Sequence, residues 1–229
     1  CTVKRPVASH HMKSAPRRSV HRRAPGPGLQ IVRKILAIES KAVRNIPVDD
    51  SYQRAVELIL DAVHRRGGKV VCSGMGKAGQ IALNIATTFS STGTPAVFLH
   101  AAKSAHGDLG MLQTNDVLFL ISNSGKTNEV LELVRLATRY RPGLKKIVLT
   151  GHPDSPLLGF ADVILRTGNP PEVCPLGLTP TTSTTAMTVV GDILVVLLMQ
   201  ATRFSRHDYA LRHHGGYLGR RARRDPLCR

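Results

Sequence analysis

The sequence predicts an α/β domain built on a parallel sheet with helices on both faces. Short β-rich runs occur at Lys69–Ser73, Ala96–Leu99, Asp116–Ile121, Lys146–Thr150 and Asp162–Leu165. Helical patterns such as Ala78–Ser90 and Asn128–Tyr140 fill the intervals. Such alternation puts ligands at the carboxyl ends of the strands. The length of 229 residues, 42% of them apolar, suits one such domain with tails.

Residues 1–28 end in Ala-Pro-Gly-Pro-Gly and are expected to be loosely attached, as is a basic tail at 222–229, so the domain is expected over 29–221. Leu29–Ile46 and Ser51–Arg66 carry apolar residues at three- and four-residue spacing (Ile31, Ile35, Leu36; Ala55, Leu58, Ile59, Ala62, Val63) and are predicted amphipathic helices. A last long helix, about Thr182–Ala201, closes the core. Its most apolar stretch, 186–200, is short for a bilayer and holds Asp192, so a buried or subunit-interface helix is expected.

The formal charge of +17 is uneven. Residues 1–25 carry seven Lys/Arg and no acid, and residues 202–229 carry eight Arg and two Asp, so the ends hold +13 and residues 26–201 only +4. With four Tyr, five Phe and no Trp to stack bases, this favours solvated tails on an enzyme-like domain over a nucleic-acid face. Cysteines 1, 72, 174 and 228 lie far apart and read as buried or incidental thiols in a reducing compartment. The N-terminus lacks the apolar segment of a secretory signal. Its composition resembles a transit peptide, although the chain starts at Cys1 with Met12 internal, and an upstream extension is an equal reading. A cytoplasmic protein without a membrane or specific nucleic-acid partner is expected.

The most informative segment is Ile121-Ser-Asn-Ser-Gly-Lys-Thr-Asn-Glu-Val130, where an apolar strand meets hydroxyls, a glycine and a helix. Ser122, Asn123, Ser124, Gly125 and Thr127 are candidate phosphate-binding residues. Hydroxyls donate, the glycine lets the backbone close on an anion, and the helix offers free N–H groups. The spacing is not that of a Walker loop, and a Ser/Asn turn with a helix cap competes with the phosphate reading.

Gly74-Met-Gly-Lys-Ala-Gly79 formally fits G-x-G-x-x-G, but the second strand ends in Val97-Phe-Leu-His100 without the acid a dinucleotide site wants for ribose. Ser73, Gly74 and Gly76 are instead expected to form a substrate loop. Lys77 could meet a sugar oxygen or phosphate, or be a surface lysine. His106, in Ser-Ala-His-Gly-Asp, could be an acid/base or cap the following helix. Glu129 could face the substrate or favour the positive helix end. Glu172, among prolines before the Thr179–Thr185 cluster, could be a base whose pKa burial raises, or a solvent-facing loop acid. The cluster itself could cap the long helix. His213, in His-His-Gly-Gly, could transfer protons or belong to a plain turn.

Together these segments resemble the sugar-isomerase (SIS) domain of arabinose-5-phosphate isomerases over about residues 30–221. The carrying residues are Gly-Met-Gly-Lys at 74–77, Thr-Phe-Ser-Ser-Thr-Gly-Thr-Pro at 88–95, Ala-His-Gly-Asp-Leu-Gly-Met at 105–111 and Ile-Ser-Asn-Ser-Gly at 121–125. The Glu-Val-Cys-Pro-Leu-Gly-Leu-Thr-Pro-Thr-Thr-Ser segment at 172–183 and His-x-Gly-Gly-x-Leu-Gly at 213–219 complete the match.

The resemblance implies a three-layer sandwich around a five-stranded parallel sheet and a homotetramer with active sites between subunits. It also implies interconversion of D-ribulose 5-phosphate and D-arabinose 5-phosphate for the Kdo of lipopolysaccharide or capsule. Lys77, His106, Glu129, Glu172 and His213 fall on functional positions. The reaction moves a proton between C1 and C2 through an enediol and needs no metal or cofactor. Glu172 is the first choice as base and Glu129 the second. Lys77 would stabilise the enediolate, with His106 and His213 handling hydroxyl protons.

Family members often continue into paired CBS domains, whereas this chain stops ten residues past Gly219, so a single-domain form without that regulation is expected. His214 replaces the usual proline of His-Pro-Gly-Gly, and Lys126 stands where an acid is common. The alternatives are an isomerase of another phosphosugar and a non-catalytic phosphosugar-binding module.

Overall fold

A computed structural model describes residues 27–223; of the tails expected at 1–28 and 222–229, residues 1–26 and 224–229 lie outside the described residues, whereas 27–28 and 222–223 belong to helices. Five strands, β1 (Val70–Gly74), β2 (Ala96–Phe98), β3 (Val117–Ile121), β4 (Lys145–Thr150) and β5 (Val163–Arg166), form one parallel sheet in the order β2-β1-β3-β4-β5. The register runs Val70 to Ala96 on one side and Val70 to Val117 on the other, then Phe119 to Ile147 and Ile147 to Val163. After β2 the chain crosses β1 to build outward from its other edge, so the order reverses between β1 and β3. A reversal of this kind opens a crevice at the strands' carboxyl ends.

Strand periodicity divides the core in two. Val70, Cys72, Val117, Phe119, Ile121, Ile147 and Leu149 face helices α2 (Ser51–Ile59), α3 (Gly76–Ser91) and α5 (Thr182–Ala201). Val71, Leu118, Leu120 and Val148 face α4 (Asn128–Tyr140) and the 3-10 turns around it. Because both faces are covered, the strands read as continuous apolar runs rather than alternating ones.

The predicted helices form with three differences. The first, α1, runs Pro27–Arg44, and the second passes after Ile59 into a π-helical segment, Leu60–Arg65. The His-His-Gly-Gly segment, read as a proton-transfer site or a plain turn, leads into a short helix, α7 (Gly216–Arg223), preceded by α6 (Arg206–Arg212) with a Ser205–Asp208 capping box. Third, α5 forms over the predicted span, but its 20 residues with a mean hydropathy of 1.7 are long and apolar enough, by length and composition only, to cross a membrane. The length argument drawn from 186–200 alone does not extend to the whole helix. About half of it is nevertheless buried within this chain, through residues including Ala186, Val190 and Leu194, and Asp192 is exposed.

At the amino ends of the strands, opposite the crevice, Asp116 is buried and ties the start of β3 to the residue before β1. Its carboxylate accepts from the Lys69 and Gln113 backbone N–H groups at 3.0 and 2.8 Å and pairs with Lys69 Nζ at 2.7 Å.

Candidate active site

The crevice between β1 and β3 is a cavity of about 390 Å³ lined by Met75–Ala78, Ile121–Ser124, Thr127 and the start of α5. Its floor owes its shape to close backbone approach. A side chain on Gly74 would come within 2.8 Å of the Ile121 carbonyl, and one on Gly79 within 2.9 Å of the Gly74 carbonyl. The G-x-G-x-x-G pattern therefore packs α3 onto β1 and β3.

The phosphate-loop candidates are drawn together as expected. Ser122 and Thr127 hydroxyls lie 3.3 Å apart, the Gly125 N–H donates to Ser122 Oγ at 3.2 Å, and the Lys126 N–H to Ser124 Oγ at 3.2 Å. The helix starts at Asn128, with Thr127 as its extended N-cap residue. The Asn123 carbonyl accepts from Thr150 Oγ1 at 2.9 Å and from the Gly151 and His152 N–H groups, tying the loop to the end of β4. Lys77 is exposed in the first turn of α3 and faces the same cavity. Three hydroxyls, an ammonium and a helix start around one space are chemically suited to a phosphorylated or otherwise anionic ligand.

Other expected residues stand elsewhere. Ser73 is fully buried and donates its hydroxyl to the Leu99 carbonyl at 2.6 Å, so it braces β1 against β2, and of the expected substrate loop only Gly76 lines the cavity. His106 is exposed at the end of the 3-10 turn Ala101–His106, and the turn that follows has no side-chain cap. Glu129 is half-buried in the first turn of α4, outside the cavity lining. His213 ends α6, stacked on Tyr209 with ring centroids 3.7 Å apart and Nδ1 2.9 Å from the Tyr209 carbonyl.

Glu172 adjoins the cavity through a shared wall. Its Oε2 accepts from the Thr181 N–H at 2.7 Å, Thr181 Oγ1 at 2.9 Å and the Ser183 N–H at 3.3 Å, and Ser183 lines the cavity. The Glu172 side chain itself opens onto a neighbouring cavity of about 530 Å³ between α1 and the 167–172 segment. Burial alone pushes its carboxyl up. Hydrogen bonds from Ser183 and Thr181 outweigh that and hold it below the ordinary value. The expected raised pKa is therefore corrected, because the start of α5 supplies donors to the ionised form. The Thr/Ser cluster, read only as a helix cap, binds this carboxylate, and Thr181 itself makes no side-chain cap.

Of the two described cysteines, Cys174 is partly exposed, and hydrogen bonding from the Thr179 side chain and its N–H, 3.3 Å away, draws its thiol down to about 7, whereas Cys72 is buried and its thiol is pushed up. Among the described residues no three His, Cys, Asp or Glu side chains come together as a metal site.

A family model for the SIS domain matches residues 64–197. Arabinose 5-phosphate isomerase KdsD of Yersinia pestis is 44% identical over 194 residues, covering 84% of this chain and 57% of that protein. The chain thus spans little more than half the length of the curated relatives it matches. Among solved structures, a candidate phosphosugar isomerase involved in capsule formation from Bacteroides fragilis superposes with a TM-score of 0.82 at 62% identity, over 83% of this chain and 99% of that one. An Escherichia coli CFT073 protein in complex with arabinose 5-phosphate gives a TM-score of 0.72 at 36% identity, over 80% and 95%.

Proposed function

This chain belongs to the SIS-domain family, and from that premise we propose that it is an aldose–ketose isomerase interconverting D-ribulose 5-phosphate and D-arabinose 5-phosphate. The observation carrying the reading is the crevice at the β1/β3 strand reversal, where Lys77 meets the hydroxyls of Ser122, Ser124 and Thr127. Its relatives' names, arabinose 5-phosphate isomerase and candidate phosphosugar isomerase, supply the substrate class, as does the arabinose 5-phosphate held by one solved neighbour.

In this mechanism Ser122, Asn123, Ser124, Gly125 and Thr127 hold the phosphate, which fixes C1 and C2 relative to the base. Glu172, ionised at neutral pH, takes the proton from one carbon and returns it to the other, and Lys77 offsets the enediolate's charge. General acid–base help of this kind contributes about 10²–10⁴-fold. Glu129 is the second candidate base, and His106 and His213 serve hydroxyl protons.

Neither histidine lines its own chain's cavity, so the reading includes a homotetramer in which a neighbour completes the site. The exposed apolar stripe of α1, Leu29, Val32, Ile35 and Leu36, supports self-association. Further parts of the proposal are an SIS unit at 29–221, a cytoplasmic enzyme supplying Kdo synthesis for lipopolysaccharide or capsule, and no cofactor, membrane or specific nucleic-acid partner.

One observation favours a phosphosugar-binding module without catalysis: Glu172 is tied to the start of α5 and lines a different cavity from the one Lys77 lines. The deciding experiment follows conversion of D-ribulose 5-phosphate with a chelator present, comparing wild type with Glu172→Gln and checking assembly of both. Turnover that collapses in the variant supports the isomerase and its base. A folded wild type without turnover favours another phosphosugar or the binding module.

A further inference from the structure

Glu39 lies on α1, far in sequence from Glu172, yet its carboxylate reaches the segment that carries that residue. Thr182, fully buried at the first position of α5, donates its hydroxyl to Glu39 Oε1 at 3.1 Å. A hydroxyl has one hydrogen. With that hydrogen committed to Glu39, the Thr182 oxygen turns its lone pairs to the Val173 N–H, 3.2 Å away. The Val173 N–H is shared with Thr181 Oγ1, also at 3.2 Å, and Thr181 spends its own hydrogen on Glu172 Oε2. The five groups form an ordered chain of three donors: Thr182 to Glu39, Val173 to both threonines, Thr181 to Glu172.

The second oxygen of Glu39 is buried and accepts no hydrogen bond from the described residues. A carboxylate oxygen buried without a donor is unfavourable for stability even on a half-buried residue such as Glu39. Its helix neighbours Ile35, Ile38 and Ala42 are apolar, so an aliphatic residue would suit the position if packing were all that mattered.

We propose that Glu39 is a positioning residue for Glu172, fixing the Thr182 hydroxyl so that the Glu172–Val173 peptide is held in one orientation. The inference rests on Glu172 being the base. Glu39 touches no residue of the phosphate loop, so its loss acts on the proton-transfer step and leaves phosphate binding alone.

The test is a double-mutant cycle on the assembled protein, using D-ribulose 5-phosphate turnover. Glu39→Ala and Thr182→Val are each expected to lower kcat between about tenfold and 100-fold, the scale on which a remote misplacement of a catalytic group acts, with KM unchanged. The double variant is expected to be no slower than the slower single one, because both remove the same link. Glu39→Gln, which keeps an accepting oxygen, is expected to recover most of the rate. If Glu39→Ala does not assemble, Glu39→Met, which fills similar volume without an acceptor, takes its place.

Wild-type kcat in the variant lacking the acceptor, or losses that multiply in the double variant, overturns the proposal. Glu172→Gln run in parallel separates the two readings. If it retains full turnover, the base assignment fails and this inference with it; if it is inactive while the Glu39 variant is unimpaired, only this inference fails.

Discussion

The hydroxyl of Thr150, at the end of β4, donates to the carbonyl of Asn123 in the phosphate loop at 2.9 Å, and both groups lie within the strand-end framework. The same carbonyl accepts from the Gly151 and His152 N–H groups at 3.1 and 3.3 Å. The loop is therefore pinned from behind by a neighbouring strand, leaving Ser122, Ser124 and Thr127 to face the cavity. Thr150→Val removes one of three donors without changing shape. A neutral hydrogen bond of this kind contributes about 1 kcal/mol, so the expected result is a rise in KM for the phosphosugar of roughly fivefold with kcat little changed, read from steady-state kinetics.

Gly125 is fixed in identity by two constraints. Its φ is +63°, and a Cβ there would overlap Ser155 Oγ. Ser155 is itself buried, at the start of the 3-10 turn that follows β4. Gly125→Ala must therefore distort the loop or displace Ser155, at about 1–3 kcal/mol. Denaturant unfolding should register that loss, and phosphosugar binding should weaken in calorimetry. An alanine variant that binds as wild type would mean that the loop has room the structure does not provide.

How far the sequence carried this reading depended on the range of the interactions. The five strands and the limits of α4 and α5 were legible because they follow from local periodicity. The hydroxyl-bearing loop at 122–127 was legible because its hydroxyls, glycine and helix are contiguous. The setting of Glu172 was not, since the donors at Thr181 and Ser183 stand nine and eleven residues away and only the return of the chain to α5 brings them to one oxygen. Ser73 misled because a hydroxyl at a strand end looks the same whether it meets a ligand or, as here, the Leu99 carbonyl. Glu39 left no local signal at all, being one acid on an otherwise ordinary amphipathic helix.

Hydrogen bonds from Ser183 and Thr181 overcome the effect of burial and hold the Glu172 carboxyl below its ordinary value. Because the folded pKa is depressed, these bonds favour the ionised form. Their contribution to stability is full above the unfolded value of about 4.3 and is lost as pH falls through the folded value. The acid limb of the kcat/KM profile is therefore expected below the usual carboxylate range. Thr181→Val deletes one donor and should move that limb upward, a shift that a pH–rate series measures directly. An unmoved limb would assign the titration to a different group.

Asp116 offers a contrast, being a buried charge at the opposite end of the sheet from the cavity. It pairs with Lys69 Nζ at 2.7 Å while also accepting two backbone N–H bonds. Asp116→Ala strands those donors and the ammonium, and loss of one partner from a buried pair costs about 3–5 kcal/mol. Thermal unfolding should show a marked fall in Tm, whereas kcat per folded molecule at low temperature should stay near wild type. A selective loss of kcat with normal Tm would contradict the structural role.

The α1 stripe bears on whether one chain can work alone. Leu29, Val32, Ile35 and Leu36 are between 38% and 60% exposed, although their three- and four-residue spacing marks one helix face meant for burial. Within the chain α1 packs chiefly on α5, and Glu39 is part of that contact through Thr182. A second copy covering the stripe would hold α1, and with it the support beneath Glu172. Val32→Glu combined with Leu36→Glu places charges in that contact, where an uncompensated buried charge is strongly unfavourable. Light scattering is expected to report a smaller species. Turnover per chain should fall with it, both because the histidine proposed to come from a neighbour would be lost and because α1 loses its brace. Unchanged mass and turnover would leave the stripe outside the interface, and the partner surface would then have to be sought on α5, where Val196 is also exposed.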